Sequence, residues 1–370
     1  MEKEKEKEKE VGNPNPIKVG ISIGDINGIG PEVIMKALKD ARMLLDCTPI
    51  IYGSTKVFAY YKKMLNDQDF NYQSCKLAEE AQIRKINVVN VWSDEVEFQL
   101  GQVSEQGGRL AFLALERATQ DLASGKIDVL VTAPISKEAM AKSGFQFPGH
   151  TEYLADLSGE DQALMVMVSD HLRVALVTVH VPIKEVHTTL SRNLIVDKIR
   201  AFDASLRKDF GVVRPKIAVF GLNPHAGENG KMGSEEQELI LPAINQAKQD
   251  GILAFGPYPA DGFFGSEARH QYDGVLAMYH DQGLTAFKAL SFDDGVNYTA
   301  GLPIVRTSPD HGTAFDIAGK DKASSNSMRQ AIYVALDVYR KRMVYREITS
   351  NPLQSQVKEK DRRRGGSEIE

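Results

Sequence analysis

Residues 17–33 read IKVGISIGDINGIGPEV, an apolar run of strand length followed by three glycines and a proline within ten positions. The run has the β-branched character of a buried strand. Pro31 suits the first turn of a helix, where its missing N–H costs no hydrogen bond. The segment reads as strand, tight turn, helix. Gly24, Gly28 and Gly30 stand as G-x-x-x-G-x-G, which is not the G-x-G-x-x-G dinucleotide fingerprint, and no G-x-x-x-x-G-K-[ST] phosphate loop occurs in the chain. Something approaches this backbone closely, and the motif alone does not name it.

The same alternation continues outward. Strand-length apolar runs recur as PIIYG, KINVVNVW, IDVLVTA, ALMVMV, LRVALVTV, KIAVFGL and GVLAMY, separated by helical stretches such as QGGRLAFLALERATQDLASG and SEEQELILPAINQAKQD. Continuous apolar strands joined by helices predict an α/β fold with a mostly parallel sheet in at least one domain. The segment VMVSDHLRVAL (residues 166–176) has a short polar turn and predicts an antiparallel hairpin. A last helix is expected over about 325–346. Two loops, at residues 142–152 and 291–303, are candidate hinges, so the first and last segments share one domain and the middle forms another, with a cleft between them.

Composition narrows the class. A chain of 370 residues suits two domains, and 42% hydrophobic with 26% charged residues is ordinary for a soluble enzyme. A net charge of −5 makes no electrostatic case for nucleic acid. There is no signal-type apolar segment and no run of about 18 apolar residues, so no membrane partner is expected. Cys47 and Cys75 lack a metal-type spacing and read as reduced thiols of a cytoplasmic protein. The charged stretches at residues 1–16 and 349–370 read as solvated, disordered tails.

Ligands of open α/β sheets gather beyond the carboxyl ends of strands. Three apolar runs lead directly to a histidine: His180, His225 and His280. Each alone reads as a strand cap. Together, with Asn223, Glu228 and Asp281 as polar neighbours, they match a catalytic divalent metal with open coordination positions. Imidazole favours zinc or cobalt over magnesium, and Asp261 and Asp281 are supplementary candidates. In PGHTE, Thr151 is placed to cap a helix starting near Glu152, and His150 stands beside it, which suits an anion. Lys288, Asn297 and Arg306 interrupt an otherwise apolar stretch. Lys288 lies eight positions after His280, two helical turns, so it can face the same cleft. A cation pair there fits a substrate bearing phosphate and carboxylate.

These motifs, in this order, carry a resemblance: GDINGIGPE, PGHTE, TVHVP, GLNPHAGE, PADGFF, MYHDQG, the lysine eight residues on, and VNYTAGLPIVRTSPDHGTAFDIAG. The chain resembles the 4-hydroxythreonine-4-phosphate dehydrogenase family of vitamin B6 biosynthesis, from about Ile17 to about Ile348. GDINGIGPE and HGTAFDIAG also look like pieces of the wider isocitrate/isopropylmalate dehydrogenase group. The fold implied is two α/β/α domains with a cleft between them, of that group's kind rather than Rossmann. Residues 17–143 plus 300–348 would form the first domain on the NAD side, and 144–299 the second, carrying metal, substrate and dimer contacts. Ile26-Asn27 and Ala300 depart from the family pattern without touching a proposed ligand.

Carried over residue by residue, the resemblance implies metal on His180, His225 and His280, and substrate on His150, Thr151, Lys288, Asn297 and Arg306. Gly28, Gly30, His311, Gly312 and Thr313 would line the site of NAD or NADP. A homodimer is implied, with active sites at the interface and metal ligands from both chains. The implied reaction is oxidative decarboxylation of 4-phosphooxy-L-threonine, with Lys288 as base and Asp261 as a second catalytic candidate. A sister activity on D-erythronate or D-threonate 4-phosphate shares every motif. Acyl transfer to phosphate is the alternative from another class, and three strand-exit histidines argue against it because that chemistry needs no metal.

Overall fold

The computed structural model describes residues 16–147, 149–159 and 163–351. The tail expectations for residues 1–15 and 352–370, and Pro148 of PGHTE, lie outside the described residues. The eight apolar runs form strands β1 (Ile17–Ser22), β2 (Cys47–Gly53), β4 (Asn87–Asn90), β5 (Val129–Thr132), β6 (Leu164–Val168), β7 (Arg173–Leu176), β8 (Lys216–Phe220) and β10 (Gly274–Ala277). Four further strands were not anticipated: β3 (Gln73–Cys75), β9 (Leu253–Tyr258), β11 (Val296–Ala300) and β12 (Arg306–Pro309). β3 is three residues long, β9 contains Gly256-Pro257, and β11 and β12 are polar because they floor a cavity.

All twelve strands join one sheet, in the order β3-β4-β2-β1-β5-β12-β11-β6-β7-β10-β8-β9. The strands from β3 to β12 run parallel to one another, and so do those from β7 to β9. Between the two sets, β11 is antiparallel to both β12 and β6, and β6 is antiparallel to β7, which realises the expected hairpin. The two parallel sets therefore point in opposite directions. A hollow lies over the central strands of this continuous sheet. The late segment does return to the early one, since β12 lies beside β5.

Helices cover the sheet faces. Those that place the site are α1 (Gly30–Ala37), α2 (Glu105–Ala123), α3 (His150–Ser158), α4 (Leu241–Gln249), α5 (His280–Ser291) and α6 (Asn326–Ser350). The helix expected over 234–250 forms, and its first part is a π-helical turn, Glu236–Ile240, that runs directly into α4. Pro242 has no N–H to give and its ring crowds the preceding turn, and a widened turn accommodates both. One core runs through both halves of the sheet, while a second, smaller core packs Leu284 and Phe287 of α5 against Val174, Leu176 and Ala277. Gly283 lets α5 sit that low, because a Cβ there would stand 2.8 Å from Leu176 and 2.9 Å from Val174. Cys47 and Cys75 are buried free thiols.

Candidate active site

Strand register assembles the floor of the cavity. Arg306 pairs with Leu130 of β5, Ser308 with Asn297 of β11, and Thr299 with Met165 of β6. Side chains alternate between faces with period two, so Thr132, Arg306, Ser308, Asn297 and Met165 share one face. The start of α3, Lys288 of α5, His180 and the loop 309–312 form the walls of a cavity of about 270 Å³.

Arg306 is only 2% exposed, yet its hydrogen-bond partners are hydroxyls: Thr132 Oγ1 at 2.6 and 3.2 Å and Thr299 Oγ1 at 3.2 Å. Burial lowers its pKa to about 10, which leaves it cationic at neutral pH. Burial, reinforced by Arg306 and Lys137, pushes His150 well below the usual imidazole range, so its ring is neutral. His150 Nε2 and Asn297 Oδ1 are buried without hydrogen-bond partners. Buried polar groups in native proteins are paired, and these meet around one hollow. The arrangement suits a small anionic ligand.

Thr151 does not cap α3. The helix starts at His150 behind Gly149, whose extended backbone ends the loop earlier than expected, and no side chain caps it. Thr151 stands in the first turn and lines the cavity. Lys288 does face the cavity from α5, and its Nζ lies 3.1 Å from Asp310 Oδ1.

The three strand-exit histidines follow β7, β8 and β10, which are neighbours in the sheet. The rings of His180 and His280 stand 6.5 Å apart. Each Nδ1 faces a carboxylate, His180 that of Glu152 at 3.3 Å and His280 that of Asp281 at 2.6 Å. With Nδ1 so engaged, Nε2 is the nitrogen left for a cation, since a carboxylate on Nδ1 fixes the ring's tautomer and orientation. His225 is exposed and lies in a left-handed stretch over residues 225–229. That stretch is braced by the buried Glu236 of the π turn, whose Oε1 accepts from Leu222 N and Asn223 N, both at 2.7 Å. Among the described residues no group of three or more His, Cys, Asp or Glu side chains stands close enough to hold a metal ion.

Other expected residues sit elsewhere. Gly28 and Gly30 are buried, and what approaches them is protein: a Cβ on Gly28 would lie 2.8 Å from Thr313 O, and on Gly30 2.6 Å from Ile23 O. Ile29 N also donates to Thr313 O at 3.0 Å. The glycine turn thus carries the loop 311–313 without itself lining the cavity. Of that loop, His311 and Gly312 reach the cavity, and His311 Nδ1 lies 3.0 Å from Gly312 O, leaving Nε2 buried and unpartnered. Asp261 is exposed on a short helix, Ala260–Phe264, outside the cavity lining. Thr132, Lys137, Glu152, Ser308 and Asp310 line the cavity and were not singled out. The strand-exit rule, applied to β5, would have found Thr132 and Lys137.

Fold and site define an α/β enzyme for a small anionic substrate. The chain belongs to the family described as pyridoxal phosphate biosynthetic protein PdxA, whose profile matches residues 45–335. A 4-hydroxythreonine-4-phosphate dehydrogenase of Bacteroides thetaiotaomicron is 51% identical over 345 residues, 93% of this chain and 94% of the relative. An Oceanobacillus iheyensis protein, provisionally named a D-threonate 4-phosphate dehydrogenase, is 40% identical over 86% of this chain and 97% of its own length. The crystal structure of 4-hydroxythreonine-4-phosphate dehydrogenase from Klebsiella pneumoniae superposes with a TM-score of 0.77 at 37% identity, covering 89% of this chain and 99% of that one.

Proposed function

We propose that this dehydrogenase oxidises and decarboxylates 4-hydroxythreonine 4-phosphate (4-phosphooxy-L-threonine) to 3-amino-2-oxopropyl phosphate, with NAD⁺ or NADP⁺, in the biosynthesis of pyridoxal phosphate. The observation that carries this reading is Arg306, a buried cation that among the described residues hydrogen-bonds only to hydroxyls, with the Glu152 carboxylate acting on it at longer range, beside the unpartnered polar atoms of Asn297 and His150. The name and near full-length match of the Bacteroides relative support the substrate. In this reading Arg306, Asn297, His150 and Thr151 grip the anionic ends and orient the secondary hydroxyl, which lowers the entropic part of the barrier. Lys288 takes the hydroxyl proton. His311, Gly312 and Thr313 belong to the nicotinamide side, with Gly28 and Gly30 beneath them, and the division between residues 17–143 plus 300–348 and residues 144–299 is kept.

His180, His225 and His280 are the proposed ligands of a divalent cation, zinc first, cobalt or magnesium after it. The donor chemistry fits, because two of the imidazoles stand together with Nδ1 already engaged. A cation there would supply Lewis-acid polarisation of the oxygen being oxidised. A cytoplasmic homodimer in which both chains contribute ligands completes the proposal. The Oceanobacillus relative favours one second reading, a 4-phosphorylated sugar acid as substrate.

The test offers metal-loaded protein 4-phosphooxythreonine and 4-phosphoerythronate side by side, with and without a chelator, and follows NADH. Chelator-sensitive turnover of the threonine ester with release of CO₂ is expected. Turnover of the erythronate ester alone moves the enzyme to the second reading. No NADH from either, with metal added, removes the dehydrogenase assignment and turns attention to phosphate acyl transfer.

A further inference from the structure

The cavity holds two cations in opposite circumstances. Arg306 hydrogen-bonds to hydroxyls only, with the Glu152 carboxylate acting on it at longer range, whereas Lys288 is in direct contact with a carboxylate, with Nζ 3.1 Å from Asp310 Oδ1 and 3.5 Å from the Asp310 carbonyl oxygen. An anionic group of a substrate is drawn to the first and repelled by the aspartate beside the second. We propose that Asp310 is a positioning residue that holds Lys288 at the reacting hydroxyl and balances its charge, leaving the anionic grip to Arg306. This inference rests on the dehydrogenase reading above.

The aspartate is built into place. It directly follows β12, and its N–H donates to Ser327 Oγ at 3.0 Å and to Gly295 O at 3.3 Å. Ser327 Oγ in turn donates to Gly295 O at 2.6 Å, so the first turn of α6 and the turn after α5 clamp the backbone of Asp310 between them. Lys288 approaches from α5, which Phe287 and Gly283 seat against the sheet. The charged or titratable groups facing Asp310 are Lys288, His311 and His280, and burial raises its carboxyl while Lys288 opposes that shift.

In the reaction, the hydroxyl proton passes to the unprotonated Nζ of Lys288 as the hydrogen on the same carbon leaves with its electron pair for the oxidised nicotinamide. The oxygen then forms the carbonyl, and the new ammonium faces the Asp310 carboxylate. When the bond to the carboxylate carbon breaks, CO₂ departs, the electron pair passes into the enolate, and Nζ returns its proton to carbon. Asp310 touches none of the reacting atoms, and its effect runs through Lys288.

The experiment compares Asp310→Asn and Asp310→Glu with the unchanged full-length protein, metal-loaded, on the ester that it turns over. For Asp310→Asn, kcat is expected to fall about a hundredfold, with KM changed less than about threefold. Peptide mapping after a short pulse of an amine-acylating reagent at fixed pH reads Lys288 without turnover. Acylation there is expected to rise several-fold once Nζ is released from its contact with the Asp310 carboxylate. Asp310→Glu is expected to keep the acylation rate and recover at least a tenth of kcat. An unchanged kcat, or a KM rise of tenfold or more with kcat held, overturns the inference. Should Asp310→Asn fail to fold, Asp310→Ser carries the same test: lowered kcat with faster acylation of Lys288 supports the inference, and unchanged kcat overturns it. If no ester is turned over, the acylation ratio decides the Lys288–Asp310 coupling while the function reading falls separately.

Discussion

Arg306 shows how one residue can serve binding at the expense of stability. A buried guanidinium that no carboxylate touches is costly to the fold, and an arriving anion offsets that cost. Arg306→Met is therefore expected to raise KM for the phosphorylated substrate about a hundredfold while leaving urea stability unchanged or higher by about 1 kcal/mol. A clear loss of stability would mean that the arginine is structural. Asp25, in the opening motif, is buried, and burial lifts its carboxyl to about 6 from 3.8, with Oδ2 unpartnered. The fold prefers the protonated acid, so the stability from this group is full below about pH 4 and lost as pH rises through about 6. Asp25→Asn is expected to stabilise the protein by about 2–3 kcal/mol at pH 7, with the gain vanishing near pH 4. Denaturant titrations at both pH values check it.

At the scale of elements, the π turn before α4 has a visible task. It places Glu236 under the left-handed stretch of His225, where Ala226, Glu228 and Asn229 also hold positive φ. Non-glycine residues in that region each cost about 1 kcal/mol or more, and the Glu236 hydrogen bonds fix Leu222 and Asn223, from which the stretch departs. Glu236→Ala is expected to destabilise the protein by about 2–3 kcal/mol and to weaken zinc binding at the proposed histidine site about tenfold or more by calorimetry. Unaltered zinc affinity would separate the brace from the metal. None of this could be read from SEEQELILPAINQAKQD, whose apolar spacing spells an ordinary helix. By contrast, the eight apolar runs and the 166–176 hairpin were legible because burial on both faces demands continuous apolar sequence. β11 and β12 were not, because the face they turn to the cavity is polar.

For the whole molecule, the continuous sheet brings Thr132, Asn297 and Arg306 onto one face, although Thr132 is 174 positions from Arg306. The proposed shared metal site makes a prediction at this scale. His180→Ala, His225→Ala and His280→Ala are each expected to be inactive. When the variants are unfolded, mixed in pairs and refolded, at least one pair should regain about a quarter of the activity, because half the dimers are mixed and each has one complete site. If no pair regains activity, the ligands come from a single chain. Among the described residues no helix is long and apolar enough to cross a membrane.

The sequence by itself determined the α/β class, most of the strands, and a set of polar residues standing where apolar ones would otherwise be. Burial imposes periodicity, and a polar residue that breaks it leaves a local mark. Only the tertiary structure decided which of those residues meet. It packed Gly28 against Thr313 and Gly30 against Ile23, left Asp261 in solvent, and set Asp310 against Lys288. Contacts of that kind depend on strand order and register, which couple positions far apart in the chain and leave no local pattern to read.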